Sequence, residues 1–388
     1  MINNKNSGRI SGYLICILIF ISSVVLLSDM FEQSRKKSVF WEKVFTSGQW
    51  IETNYPGRYY WMELFGYINK ALNKNVVVSK GNMYIQLDNG QLVYAVPQAD
   101  VETAASNVAI LKEYCDNLDI EFLYVNFPSK PVNDNELKDI GIATYTNKNA
   151  DMLISNLKKY CVPVLDIRES MTQRDESLYF WFFKTDHHWR IEAGLFAAKE
   201  IINKLNEEFD FHLKTDVLDE KRFVYERYEQ CWLGETGRQM SKAYSGLDDF
   251  VKIVPDYDTQ MEYIVPEIEM NVRGDFSVLI DESRYNKETS LECIYDNSWY
   301  YSYLMSNYGY AVIKNKMNES EKKILLIKDS FSLAVAPFLA LTTDEVIMWD
   351  LRYNRNSLKD YLDENDIDVV VIALTETSII KSIMFEYE

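Results

Sequence analysis

The chain has 388 residues, 47% hydrophobic and 26% charged, enough for one large or two ordinary folded domains and too apolar for wholesale disorder. Its 41 basic residues face 59 acidic ones, a formal charge of −18, and no polybasic block offsets the excess. That balance argues against nucleic acid, whose binding rests on Lys and Arg neutralising phosphates, and against tight docking on anionic lipid.

Residues 1–9 are polar, and residues 10–27 then run without a charge, rich in Ile, Leu and Val. Such a run is at the lower end for a membrane-spanning helix and long for a signal-peptide core. Small residues suited to cleavage are not well placed after it. Residues 1–9 are therefore read as a cytoplasmic tail and 10–28 as an uncleaved transmembrane signal anchor, with cleavage the alternative. Arg35, Lys36 and Lys37 blur the positive-inside comparison, but one N-terminal anchor before a large domain places that domain outside the cytoplasm as a rule. Residues 29–99 read as a stalk and a hairpin. The stalk is helical, interrupted at Tyr55-Pro56-Gly57-Arg58, and the hairpin spans 76–96 with its turn at Asn89-Gly90.

A repeating pattern begins at residue 100. Val101, Val108, Leu111, Cys115 and Leu118 predict a helix over 100–118, followed by a strand over 121–127 that Pro128 ends. A helix over 149–160 and a strand over 162–167 come next. The dense aromatic run 178–183 leads into Thr185-Asp186-His187-His188-Trp189-Arg190, and a helix follows from 191 through Ala197, Ile201 and Leu205. Between about 210 and 321 the pattern weakens, and this stretch is read as an insertion or cap. Strands over 324–327, 345–349 and 368–374 then alternate with helices over 331–341 and 357–364. Short apolar strands alternating with helices predict an α/β fold: a mostly parallel sheet over 100–388 with helices on both faces.

The five cysteines, Cys16, Cys115, Cys161, Cys231 and Cys293, form no CxxC pair. Zinc and thioredoxin-like chemistry have no support, and the four outside the apolar run could pair in three ways or stay reduced, the latter favoured. The 27 Tyr and 8 Trp are read mainly as core, with stacking on sugar rings the sharper alternative.

The chain has three histidines, and two of them, His187 and His188, adjoin Asp186. Histidine supplies a base near neutral pH, and a neighbouring carboxylate can hold the ring in one tautomer and stabilise its charged form. A nucleophile is offered by Leu325-Leu326-Ile327-Lys328-Asp329-Ser330-Phe331, where a strand ends and a helix is predicted. A serine there lies at the carboxyl edge of the sheet, where open α/β sheets put their sites. The following amides and helix dipole could stabilise an oxyanion. Alone, Ser330 or Asp329 reads as a helix cap. Together with Asp186 and His188, the serine reads as a nucleophile with its base.

Asp186-His187-His188-Trp189 resembles the signature of the DHHW family, which is similar to the alginate O-acetylation proteins AlgJ and AlgX and their SGNH-hydrolase-like domain. Asp186, His188 and Trp189 match the Asp-x-His-Trp element of those relatives, and Asp329-Ser330-Phe331-Ser332 matches their Gly-Asp-Ser-like turn. Placing Asp and His before Ser resembles the permuted order of this group. Softer likenesses are the hairpin at 76–96, Phe127-Pro128-Ser129-Lys130, Asp350-Leu351-Arg352 and Glu376. Two departures are Lys328 where the pattern often has Gly, and the lack of a Gly-x-Asn-Asp element carrying the usual oxyanion donor.

The resemblance implies Ser330 as nucleophile forming an acyl-enzyme, His188 as base and Asp186 orienting its ring, with His187 the rival base. Trp189 and Asp329 would brace the motif, and Arg352 and Glu376 follow strand ends, where they either line the site or, the favoured reading, stand as solvated charges. No cofactor is implied. The implied function is a membrane-anchored, extracytoplasmic O-acetyltransferase or acetylesterase of the cell envelope acting on a cell-surface or secreted polysaccharide, partnered by a membrane-bound O-acyltransferase that supplies acetyl groups. The alternative is a non-catalytic binding or assembly component of a polysaccharide export machinery. Asp-His-His also occurs in the manganese-dependent DHH phosphoesterases, but those need several more ligands and only His212 remains here. A metal site is not expected.

Overall fold

The computed structural model describes residues 57–387 apart from 80, 131–136, 139, 175, 287 and 289, together with residues 17, 20, 23 and 24. The chain divides into two compact units, Met1–Ile68 and Asn69–Glu388. Most of the expected anchor at 10–28 and of the stalk lies outside the described residues, among which no helix is long and apolar enough to cross a membrane. A helix Arg58–Ala71 follows the Pro-Gly interruption.

Three antiparallel strands, β1 (Val76–Ser79), β2 (Asn82–Gln86) and β3 (Leu92–Tyr94), replace the single hairpin expected over 76–96. The difference is a second turn at Gly81, whose φ of 80° suits a residue without a side chain. Gly90, at φ 82°, makes the turn that the Asn-Gly pair announced.

The main sheet has eight strands. Five are parallel: β4 (Glu121–Phe127), β5 (Val164–Asp166), β11 (Lys323–Lys328), β12 (Glu345–Trp349) and β13 (Val369–Thr375). They stand in the order β5-β4-β13-β11-β12, so their carboxyl ends share one edge. Strands β8 (Met261–Val265), β9 (Met270–Gly274) and β10 (Tyr310–Asn315) continue the sheet antiparallel in the order β10-β8-β9. Part of the stretch 210–321, read as an insertion or cap, thus joins the main sheet. Such strands are short and lie at or near an edge, so they lack the continuous apolar run that marks a buried parallel strand. The same stretch also holds a separate two-stranded ribbon, β6 (Phe223–Trp232) with β7 (Asp248–Pro255), and short helices such as Glu235–Met240 and Leu291–Asp296.

Both faces of the sheet are covered, because its side chains alternate between two cores. Phe122, Tyr124, Leu325, Ile327, Ile347, Val370 and Ile372 pack with the apolar stripe of the helix Val101–Asp116. That helix opens on Asp100, whose carboxylate accepts from the Thr103 amide at 3.2 Å. Leu123, Val125, Ile324, Leu326, Val346, Met348 and Val371 pack on the other face with the helix Ile191–Phe209. Gly194 on this helix lies against the chain that follows β11; a Cβ there would sit 2.1 Å from the Ala334 carbonyl oxygen.

The helix expected over 331–341 is broken. A 3-10 turn covers Ser330–Ala334, and a short helix Ala336–Leu339 follows. Pro337 has no amide hydrogen to extend the first turn but fits the first turn of a new helix. No long macrodipole therefore points at Ser330, and that part of the oxyanion argument falls away.

Candidate active site

Ser330 follows β11 by two residues, at the carboxyl edge of the sheet, and is partly exposed. Asp329 before it is buried and holds the turn. Its Oδ1 accepts from the Phe331 amide at 3.0 Å, and its Oδ2 accepts from the Thr375 amide, the Thr375 hydroxyl and the Ser378 hydroxyl, each at 2.7 Å. With four donors, two of them from Thr375 at the end of the neighbouring strand β13, Asp329 is a brace and has no free oxygen for proton transfer.

The other half of the site is a tight loop. Phe182 and Trp189 pair as an isolated antiparallel bridge, so residues 183–188 project from its end. Trp189 is fully buried, donates from Nε1 to the Phe331 carbonyl at 3.0 Å and packs against Phe127 and Phe331. It docks the loop onto the serine turn. His188 then reaches Ser330: Nε2 lies 2.8 Å from Oγ, and Nδ1 lies 2.6 Å from Asp186 Oδ1. Asp186, His188 and Ser330, 142 residues apart at the last step, form one hydrogen-bonded chain.

Asp186 is nearly buried, which by itself would raise its pKa, yet the His188 and His187 rings, with the Glu235 amide donating to Oδ2 at 2.6 Å, hold it well below the usual carboxylate range. It stays ionised and can stabilise an imidazolium. His187 lies elsewhere. Its Nδ1 is 3.7 Å from Asp186 and 3.6 Å from Glu235, it contacts no atom of Ser330 by hydrogen bond, and burial beside His188 pushes its pKa down to about 3. It is neutral at ordinary pH. The ligating atoms of Asp186, His187 and His188 lie within 4.8 Å of one another. Both Asp186 oxygens and both His188 nitrogens are already engaged, however, which leaves one ring for a metal and does not make a site.

Arg352 and Glu376 are each committed. Arg352 forms a two-pronged pair with Asp350, Nε to Oδ1 at 2.8 Å and Nη2 to Oδ2 at 2.6 Å. Lys328 joins the same network, buried, donating to Asn307 Oδ1 at 2.5 Å and Asp350 Oδ2 at 3.2 Å. This network accounts for a lysine where the related turns carry glycine. Glu376 is buried at the end of β13, where burial, opposed by Arg168 and the Ser129 amide, pushes its pKa up to about 7.

Three site residues, Tyr300, Asp248 and Gly234, have no signal in the sequence and come from the stretch read as an insertion, whereas a fourth, Lys130, lies in the Phe127-Pro128-Ser129-Lys130 likeness. Tyr300 stacks under the His188 ring, 3.9 Å between centroids and 15° between planes, and its hydroxyl lies 3.1 Å from the Ser330 and Phe331 carbonyl oxygens. Asp248, the first residue of β7, accepts from the Lys184 amide at 2.6 Å, the Thr185 amide at 2.7 Å and the Thr185 hydroxyl at 2.5 Å. Buried Lys130 donates to the Leu92 and Lys184 carbonyls at 2.7 and 2.9 Å, and burial lowers its pKa to about 7 despite Asp248 and Asp186. Gly234 donates to the Thr185 hydroxyl at 2.8 Å, and a Cβ on it would lie 2.3 Å from the Asp186 Cβ and 2.5 Å from its backbone. Gly234→Ala must therefore displace Asp186. We expect a loss of about 1–3 kcal/mol in denaturant unfolding, and slower labelling of Ser330 by a sulfonyl fluoride. Unchanged stability and labelling would show that the loop tolerates the shift.

No model of a known protein family matches the sequence, and no curated protein does. Solved structures do match in fold. Bacillus cereus PatB1, in a structure that carries a sulfonyl adduct, superposes with a TM-score of 0.63 at 17% identity, over 80% of this chain and 100% of that one. A DHHW family protein from Eubacterium siraeum superposes with a TM-score of 0.59 at 16% identity, over 80% of this chain and 96% of that one. The O-acetyltransferase domain of Pseudomonas putida AlgJ is more distant, with a TM-score of 0.44 at 10% identity over 77% and 92% of the two chains, and adds no weight. At such identities the likeness is one of architecture: the chain has the α/β fold seen in PatB1 and in the Eubacterium siraeum DHHW protein.

Proposed function

We propose that the protein is an SGNH-type acyl-transfer enzyme, an O-acetyltransferase or acetylesterase acting on an envelope or secreted polysaccharide through an acyl group on Ser330. The hydrogen-bonded chain Asp186–His188–Ser330, with links of 2.6 and 2.8 Å, carries this reading. Ser330 Oγ attacks the ester carbonyl while its proton passes to His188 Nε2. The tetrahedral intermediate collapses to the acyl-enzyme, and the departing alcohol takes the proton from His188. Water or a sugar hydroxyl then enters by the reverse steps, freeing Ser330. Asp186 stays ionised and stabilises His188 in its charged state.

The sulfonyl adduct held by PatB1, a protein of the same fold, is in keeping with a reactive nucleophile. The polysaccharide class rests on the Asp-x-His-Trp likeness of residues 186–189 to the alginate O-acetylation proteins. The apolar run 10–27 supports an anchor that holds the domain outside the cytoplasm, beside a membrane-bound O-acyltransferase as acetyl source.

The test is intact mass of the full-length protein after a sulfonyl fluoride. We expect one adduct on the wild type and none on Ser330→Ala or His188→Ala. If the wild type takes none, the serine is not activated and the non-catalytic binding reading replaces this one.

A further inference from the structure

We infer that a second pocket, separate from Ser330 on the same sheet edge, binds a sugar ring that presents hydroxyl or ammonium groups and rejects one that presents a carboxylate. The inference deepens the acyl-transfer reading by naming the acceptor class, although the binding itself does not require that reading.

A cleft of about 380 Å³ opens where β4, β5 and β13 end. Met171, Leu178 and Phe182 form an apolar wall, and Glu376, Arg168 and Asp166 form the polar side. The single guanidinium is already used. Arg168 Nε donates to both Asp166 oxygens at 3.0 and 3.1 Å, Nη2 reaches Asp166 at 2.7 Å and Asp151 at 2.8 Å, and Nη1 lies 3.2 Å from Glu376 Oε1. Glu376 is 1% exposed. Its Oε2 accepts from the Ser129 amide at 3.1 Å, whereas Oε1 has only the Arg168 ion pair and no hydrogen bond. Asp151 and Glu169 add to the lining, which sets four acidic side chains, Glu376 among them with its pKa raised to about 7, against one guanidinium. Beyond the Asn147 amide and the Ser129 hydroxyl, this cleft is short of hydrogen-bond donors. Hydroxyl and ammonium groups supply them, with charge-assisted bonds to carboxylate, while a uronate would add a fifth carboxylate with no free cation to meet it.

The position suits an acceptor chain. Strand β13 is the direct neighbour of β11, and β4 and β5 follow, so the cleft begins roughly 5 Å from the serine strand at ~4.8 Å per step and extends away from it. Ser129 lines both this cleft and a small cavity against His187, and Phe182 is bridged to Trp189. A short oligosaccharide laid along the edge spans both sites.

Calorimetry on the full-length protein and on its Ser330→Ala form tests this with trisaccharides of glucosamine, glucose and mannuronate. We expect the glucosamine trisaccharide to bind both forms equally, and the mannuronate one about thirtyfold more weakly or not at all, with glucose between. Glu376→Gln and the rim variant Asn147→Trp, each checked for an unchanged melting temperature, should weaken the glucosamine trisaccharide about tenfold. Equal or tighter mannuronate binding, no binding of any trisaccharide, or full affinity in Asn147→Trp would overturn the inference. Those results leave the adduct on Ser330 untouched, and a missing adduct leaves the binding untouched, so the two proposals fail separately.

Discussion

Ser330→Ala is expected to lower turnover of an acetyl ester by about 10⁴-fold or more, with little change in apparent substrate affinity. Oγ is the atom His188 Nε2 reaches at 2.8 Å, and no second hydroxyl is hydrogen-bonded to that nitrogen. His188→Ala should cost about as much, since a serine without its base is a weak nucleophile. The double variant should lose little more, because residues that act as one unit are not additive. Asp186→Asn should fall in between. An amide there would turn an NH2 towards either the His188 ring and amide or the Glu235 amide, all of which now donate to the carboxylate. Steady-state hydrolysis of a small acetyl ester measures all four. If His188→Ala retained turnover within tenfold of wild type, the Asp186–His188–Ser330 chain could not be the machinery.

Asp248→Ala should be the most destabilising of the changes considered, by about 3–5 kcal/mol. The carboxylate is 4% exposed and satisfies three donors of the loop that carries Asp186. Removing it strands those donors and leaves buried Lys130 with carbonyl partners but with only Asp186 of its two nearby carboxylates. Urea unfolding of wild type and variant gives the loss directly. Turnover should fall with it, because the Thr185 hydroxyl that Asp248 holds also accepts from the Gly234 amide. A change below about 1 kcal/mol with full activity would mean that the loop stands without this anchor.

The identities of the three residues at the centre were legible in the sequence for a chemical reason. A chain with three histidines, two of them beside an aspartate, offers few bases. A serine directly after a continuous apolar strand has few places to be in an α/β fold. The five parallel strands were legible for a physical one, since a strand buried on both faces must be apolar throughout. What the sequence could not show was how the two halves are held. Asp248, Gly234 and Glu235 meet Thr185 and Asp186 across 49 to 63 residues, and Tyr300 meets the serine turn across 30. A pattern of period 2 or 3.6 reports only neighbours along one element, so contacts of that span leave no trace in it. The three antiparallel strands β8, β9 and β10 escaped because they lack a continuous apolar run, and the break after Ser330 turned on Pro337, a cue inside an otherwise apolar helical pattern. Local sequence therefore pointed to three groups that the fold brings into one hydrogen-bonded chain. The tertiary structure alone decided which buried partners hold them within 2.8 Å of one another.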